Sequence, residues 1–70
     1  MKTETLLEIA RYCLQESGAR GNAKLAYYDA DKALREGKKR KAETKCLESM
    51  SLALPDNHFM VAAMKSELNT

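Results

Sequence analysis

Residues 22–37, NAKLAYYDADKALREG, carry the clearest structural signal in the chain, because their apolar positions recur with a helical period. The face that they form consists of Ala26, Ala30, Ala33 and Leu34. Asn22 is a favourable residue at a helix start, and Gly37 is one at a helix end. Because alanine side chains are small, this face allows another backbone to approach closely. The stretch predicts a central helix over 22–36 with neighbours on either side.

Working outward from this helix, glycine and proline divide the chain into pieces of helical length. Two glycines, Gly18 and Gly21, precede the central piece, and Pro55 ends the one that follows it. The four predicted helices cover 5–17, 22–36, 39–54 and 57–68. No alternation typical of strands extends beyond a few residues, and β-branched residues are scarce. We therefore expect one all-α domain over 1–70, a small bundle of three to four helices built as a helical hairpin with flanking helices.

Several residues predict where the helices begin and end. Thr5 followed by Glu8 has the spacing of a capping box for the first helix. Pro55 disfavours helical backbone in the residue before it. Asp56 or Asn57 is expected to cap the last helix.

Two further faces are predicted to point inward. In the first helix the face consists of Leu6, Ile9, Ala10, Cys13 and Ser17. In the third helix it consists of Ala42, Cys46, Met50 and Ala53. Both cysteines fall on these faces, so we expect them to be buried and reduced, as small apolar side chains without chemistry.

Composition limits the class of protein. With 44% hydrophobic and 31% charged residues the chain has the balance of a folded domain. A chain of 70 residues buries a modest core, so a partner or a second copy is expected to add stability. No apolar run approaches the roughly 18 residues of a membrane span, and Glu4 and Glu8 are atypical of a signal peptide. We expect a cytoplasmic protein without membrane contact.

The last predicted helix is apolar on more than one side. One stripe comprises Met60, Ala63, Met64 and Leu68, with Phe59 and Val61 outside it. Methionine-rich surfaces adapt to varied partners, so we predict a protein-binding surface here. Its predicted members are Phe59, Met60, Val61, Met64 and Leu68. The alternative is that Phe59 or Val61 packs back onto the third helix.

A basic run follows the central helix. Seven cations and two carboxylates give residues 32–45 a formal charge of +5, although the whole chain carries only +2. The candidate electrostatic contacts are Lys38, Lys39, Arg40, Lys41 and Lys45. Cations over 39–41 would oppose the dipole of a helix that begins there, at about 0.3–1 kcal/mol each. Such a local cost indicates a partner that offsets it, and an acidic protein surface or a phosphate backbone would both do so. The alternative is a solvated corner between two helices.

Nothing in the sequence indicates catalysis. The single histidine, His58, has no spacing relation to Cys13 or Cys46 that indicates a nucleophile pair. These three residues also lack the locally paired spacing of a zinc site, and GARGNAK does not have the frame of a phosphate loop. We expect no enzyme, no metal and no other cofactor.

The sequence thus favours a small non-enzymatic protein-binding module, such as an adaptor, co-chaperone or inhibitor. It would bury an apolar helix face against a partner protein or a second copy. The alternative is a nucleic-acid-binding regulator that uses the basic run over 38–45. Aromatic residues that stack on bases normally accompany such a run, and Tyr27 and Tyr28 lie too far upstream to interleave with it.

Overall fold

The computed structural model describes residues 2–54 and 58–68, without the side chains of 67 and 68, and these residues form four α-helices. The helices are α1 (Thr3–Ser17), α2 (Asn22–Arg35), α3 (Lys39–Ala53) and α4 (Phe59–Leu68). No described residue lies in a strand. The predicted all-α bundle is confirmed, and each helix boundary lies within two residues of its prediction.

Glycines end the first two helices as predicted. Gly18 has a left-handed backbone, φ 67°, and its N–H donates to the Leu14 carbonyl at 3.0 Å. Gly37 is also left-handed, and the Lys38 N–H beyond it donates back to the Ala33 carbonyl at 2.9 Å. This 6→1 bond is that of a Schellman motif, which fixes the turn from α2 into α3.

The predicted N-terminal caps of α1 and α2 are wrong. Helix α1 begins at Thr3, so Thr5 lies inside the helix, and Lys2 at the cap makes no side-chain capping bond. Helix α2 is preceded by Gly21, without the expected side-chain cap from Asn22. At α4 the ring Nδ1 of His58 accepts a hydrogen bond from the Met60 N–H at 3.2 Å. The caps proposed at Asp56 and Asn57 lie outside the described residues.

The alanine face of α2 packs against α3, and this is the most extensive helix pair in the molecule. Its buried members are Ala23, Ala26, Ala30 and Ala33. Ser49 of α3 is fully buried there, and its hydroxyl donates to the Ala23 carbonyl at 2.7 Å. This bond sets the start of α2 beside the second half of α3, so the two helices run antiparallel.

The core lies between α1, α3 and α4, with one alanine of α2 reaching it. Its buried members are Leu6, Ala10, Cys13, Ala30, Cys46, Met50, Val61 and Met64. Among the described residues, helix α4 packs on α3. No described helix has the length and apolarity that crossing a membrane requires.

The register of α4 differs from its prediction. Val61, expected outside the inward stripe, is fully buried, whereas Ala63, expected on that stripe, is exposed. The reason is tertiary: Val61 and Met64 are separated by one helical turn and fill the core beside Met50 of α3. The alternative that Val61 packs back onto the bundle is therefore the correct one.

Candidate protein-interaction surfaces

The structure places the predicted electrostatic residues at the turn from α2 into α3. Lys38 is the residue that precedes α3, and Lys39, Arg40 and Lys41 form its first turn. All four are exposed, and we call them the basic corner. Lys45 lies one turn further along the helix.

The cations of this region fall into two groups. Lys38 pairs with Glu36 at 3.4 Å, and Lys45 pairs with Glu48 at 3.2 Å. Lys39, Arg40 and Lys41 make no ion pair with any described residue. Three cations at the corner are therefore available to an external anion.

The position of these cations is unfavourable for the helix itself. The first turn of α3 contains no acidic residue, and no side chain caps its free N–H groups. The N-terminal pole of a helix is positive, so three adjacent cations there repel both the pole and one another. The conflict that the sequence indicated is present in the fold.

The predicted apolar surface is divided between the core and the outside. Val61 and Met64 are buried, and the side chain of Leu68 lies outside the described residues. Phe59 is 75% exposed and stacks on the His58 ring with centroids 4.7 Å apart, while Met60 is half-buried. Of the five predicted residues, Phe59 and Met60 are the ones that the structure shows at the surface.

Phe59 borders an open cavity of about 220 Å³ where α4 meets α1, which we call the Phe59 cleft. Its lining includes Tyr12, Glu16, Leu54, His58, Phe59 and Met60. Tyr12 is 51% exposed, and its hydroxyl donates to Glu16 Oε1 at 2.8 Å. That hydrogen bond to a carboxylate raises the pKa of Tyr12. The cleft thus presents two exposed aromatic rings.

The basic corner and the Phe59 cleft lie at opposite ends of the bundle. Lys39 and Glu43 border a shallow depression with residues 2–4, so α1 and α3 begin at the same end. Cys13 and Leu54 line the Phe59 cleft at the other end of those two helices. A helix of the length of α3 spans about 20 Å, which is the separation that a partner contacting both surfaces must bridge.

A third surface, which the sequence did not predict, lies between α1 and α2. This open groove has a volume of about 490 Å³, and we call it the tyrosine groove. It is lined by Arg11, Leu14 and Gln15 of α1 and by Lys24, Tyr27, Tyr28 and Asp31 of α2. The available signal was the spacing of Lys24, Tyr28 and Asp31, which places these polar and aromatic residues on one side of α2.

The two cysteines are buried and unpaired, as predicted. Burial raises the pKa of the Cys13 thiol, and burial together with the nearby Glu43 carboxylate raises the pKa of Cys46 to about 11. Thiols of this kind are poor nucleophiles because little thiolate forms. Within the described part of the chain, no three His, Cys, Asp or Glu side chains come together as a metal site.

Comparisons with protein-family models, with curated proteins and with solved structures find no match to this chain.

Proposed function

We propose that this chain is a non-enzymatic protein-binding module whose partner presents acidic side chains to the basic corner. One observation carries the proposal: Lys39, Arg40 and Lys41 are exposed, unpaired among the described residues and placed against the dipole of α3. Carboxylates of a partner would neutralise these charges and bring negative charge to the positive pole of the helix. The binding energy thereby offsets a local cost that the free protein carries.

The surroundings of the corner favour protein over nucleic acid. The exposed aromatic rings of Tyr12 and Phe59 lie at the opposite end of the bundle, where they cannot stack on bases held at the corner. Carboxylates of Glu4 and Glu43 border the depression beside Lys39, and they would repel a continuous phosphate backbone. A protein surface, in contrast, can position its separate acidic groups so that they contact the cations and avoid these two carboxylates.

The apolar contribution to binding is assigned to Phe59 and Met60. An aromatic side chain that is 75% exposed gains contact area when a partner covers it. The roles that fit such a module are adaptor, co-chaperone and inhibitor, with a partner protein or a second copy as the ligand. Free thiols suit a reducing compartment, so we place this activity in the cytoplasm.

The test compares two variants with the same change in charge. The tagged protein is purified from its native cell with nuclease treatment, and the co-purifying protein is identified and expressed. Association is then followed by stopped flow for the wild type and for the Lys39→Glu, Lys41→Glu variant. The control is Arg20→Glu, Lys32→Glu, which reverses two exposed cations outside the corner.

We expect the corner variant to slow association by about tenfold or more and to flatten its dependence on salt, while the control variant changes little. Equal rates for the two variants would refute the role of the corner.

A nucleic-acid-binding regulator is the second candidate, because the same three unpaired cations also suit phosphates. Fluorescence anisotropy with labelled single- and double-stranded oligonucleotides separates the two. We expect no measurable binding near 150 mM salt. Tight binding there, with log affinity falling linearly against log salt, would make this candidate the correct one.

A further inference from the structure

We propose that the tyrosine groove binds a short amphipathic segment of a partner protein, in which acidic side chains alternate with apolar or aromatic ones. This inference rests on the proposed function, since it names the chemistry of the segment that such a module would take. Three features of the groove favour such a ligand: its floor, its charges and its length.

The floor of the groove is apolar. Leu14 and Tyr27 are half-buried, and Tyr27 packs against the hydrophobic core. Tyr28 is 53% exposed, and its ring lies 5.9 Å from that of Tyr27 in a tilted arrangement. Two neighbouring tyrosine rings give rigid, amphipathic contact area, which suits an apolar side chain inserted from outside.

The rim of the groove carries positive charge that is not neutralised internally. Arg11 and Lys24 make no ion pair with any described residue, and Lys24 Nζ lies 5.9 Å from the centroid of the Tyr28 ring. The one carboxylate of the lining, Asp31, is bound by Arg35 at 2.7 Å. The groove therefore offers two free cations over an apolar floor, and its charge complement is an acidic amphipathic segment.

The groove is long enough for a peptide. Lys24, Tyr28 and Asp31 recur at intervals of four and three residues, so the α2 side of the groove extends for about 10 Å. That length corresponds to about two turns of a helical ligand or three residues of an extended one. A volume of about 490 Å³ admits several ligand side chains.

Nucleic acid fits this groove less well. The lining of the groove contains two cations, Arg11 of α1 and Lys24 of α2, and not a row of cations that could follow a phosphate backbone. Binding of nucleic acid is therefore an outcome against which the proposal is tested.

The experiment is a selection of random 16-residue peptides displayed on phage against the folded protein. Enriched peptides are synthesised and titrated by fluorescence anisotropy against four proteins. These are the wild type, Arg11→Glu with Lys24→Glu, Tyr28→Ala, and the control Arg20→Glu with Lys32→Glu. Circular dichroism establishes that each variant is folded, and Arg11→Gln with Lys24→Gln replaces the charge-reversed variant if that one is not.

We expect enriched peptides to combine Asp or Glu with Leu, Phe or Trp. Both groove variants should bind them about tenfold or more weakly, which corresponds to about 1.4 kcal/mol, and the control less than about twofold more weakly. Replacing the acidic residues of a peptide by Asn and Gln should weaken its binding to the wild type by a similar factor. The wild type and the charge-reversed groove variant should then bind this peptide with equal affinity.

Peptides that bind all four proteins equally but lose affinity for Lys39→Glu with Lys41→Glu would refute the groove and leave the proposed function standing. Enriched peptides without acidic residues, or competition by oligo(dT) at 150 mM salt, would also refute it. If no peptide is enriched and no protein co-purifies after nuclease treatment, both the groove and the proposed function are wrong.

Discussion

Cys46 shows how a buried thiol can make stability depend on pH. Its thiol is fully buried between helices, and its pKa is raised to about 11 by desolvation and by Glu43. In the unfolded chain the thiol is free to ionise at an ordinary cysteine pKa. Between these two pKa values the unfolded state loses a proton that the folded state keeps, so stability falls as pH rises.

We predict that the free energy of unfolding decreases between pH 8 and pH 10.5 by about 2 kcal/mol from this residue. Urea titrations at the two pH values, in the presence of a reductant, measure the decrease. The Cys46→Ala variant should be less stable at pH 8, by about 1 kcal/mol or more through lost packing, yet show a smaller decrease. An identical decrease in both proteins would contradict the assignment.

The same burial predicts slow chemistry at both thiols. A disulfide reagent that titrates accessible cysteines within seconds should label Cys13 and Cys46 at a rate limited by opening of the fold. Urea below the unfolding midpoint should then accelerate labelling. Rapid labelling of the native protein would show that the thiols are accessible.

Ser49 makes the polar bond that links α2 to α3. Its buried hydroxyl donates to the Ala23 carbonyl at 2.7 Å, so we predict that Ser49→Ala lowers the free energy of unfolding by about 1 kcal/mol. Ser51 lies on the same helix and its hydroxyl makes no hydrogen bond with a described residue, so Ser51→Ala is the matched control. If urea titrations show that both substitutions change the free energy of unfolding equally, the Ser49 hydrogen bond does not stabilise the packing of α2 on α3.

Between helices, the alanine face of α2 sets how closely α3 can approach. Ala30 is fully buried, and we predict that Ala30→Leu destabilises the protein by about 1–3 kcal/mol because the added atoms have no space. Lys32→Leu adds a leucine at an exposed position of the same helix and should cost only the favourable cation of the last turn, about 0.3–1 kcal/mol. Thermal unfolding of both variants measures the difference. Tolerance of Ala30→Leu would mean that α2 does not pack tightly on α3.

The first turn of α3 predicts a stabilising charge reversal. Glutamate suits a helix N-terminus, so Lys39→Glu with Lys41→Glu should raise the free energy of unfolding by about 1 kcal/mol, and the melting temperature by about 4–8 °C. The formal net charge changes from +2 to −2, so its magnitude is constant.

Lys32→Glu supplies the opposite case, since Lys32 lies in the last turn of α2, where a cation is favourable. It should lower the melting temperature. The same sign of change at both helix ends would exclude the dipole as the cause.

The helices could be predicted because their signals are local. Gly18 and Gly37 end helices because glycine readily adopts the left-handed backbone found at these positions. The apolar residues of 22–36 recur with one clear helical period. The predicted capping box of Thr5 and Glu8 was wrong because the helical backbone of α1 begins two residues before Thr5. The buried face of α4 was predicted wrongly because the helix is apolar on several sides. Contact with α3 is what decides that Val61 and Met64 are the buried residues.

The candidate sites were predictable to different degrees. The position of the basic corner at the start of α3 could be predicted, because its exposure and its conflict with the helix dipole follow from its place after Gly37, whereas its role in binding stays a prediction. The tyrosine groove was missed because it joins Arg11 of α1 to Tyr28 of α2, and no pattern within one helix reveals that neighbour. Surfaces shared by two helices depend on packing, which periodicity does not give.

In the molecule as a whole, the basic corner and the Phe59 cleft are separated along the bundle axis. The basic corner lies where α3 begins, and the Phe59 cleft lies where α1 and α3 end. Sites this far apart, with no shared side chain, should contribute to binding nearly additively. A partner that uses both would associate faster through the corner and dissociate more slowly through the cleft.

The small core predicts that the protein alone is marginally stable. The largest fully buried side chains include two cysteines and a serine, and a chain of this size rarely exceeds about 3–5 kcal/mol of stability. A ligand at about 100 times its dissociation constant would add about 2.7 kcal/mol. For a domain of this size that corresponds to an increase of about 10–20 °C in the melting temperature.

We therefore predict a dimer whose melting temperature rises with protein concentration, or a monomer whose melting temperature rises by this amount with the selected peptide or the co-purified protein. Light scattering distinguishes the two. A monomer with a melting temperature indifferent to its own concentration and to either ligand would show that the fold needs no partner, and would remove the energetic reason for assigning this chain to protein binding.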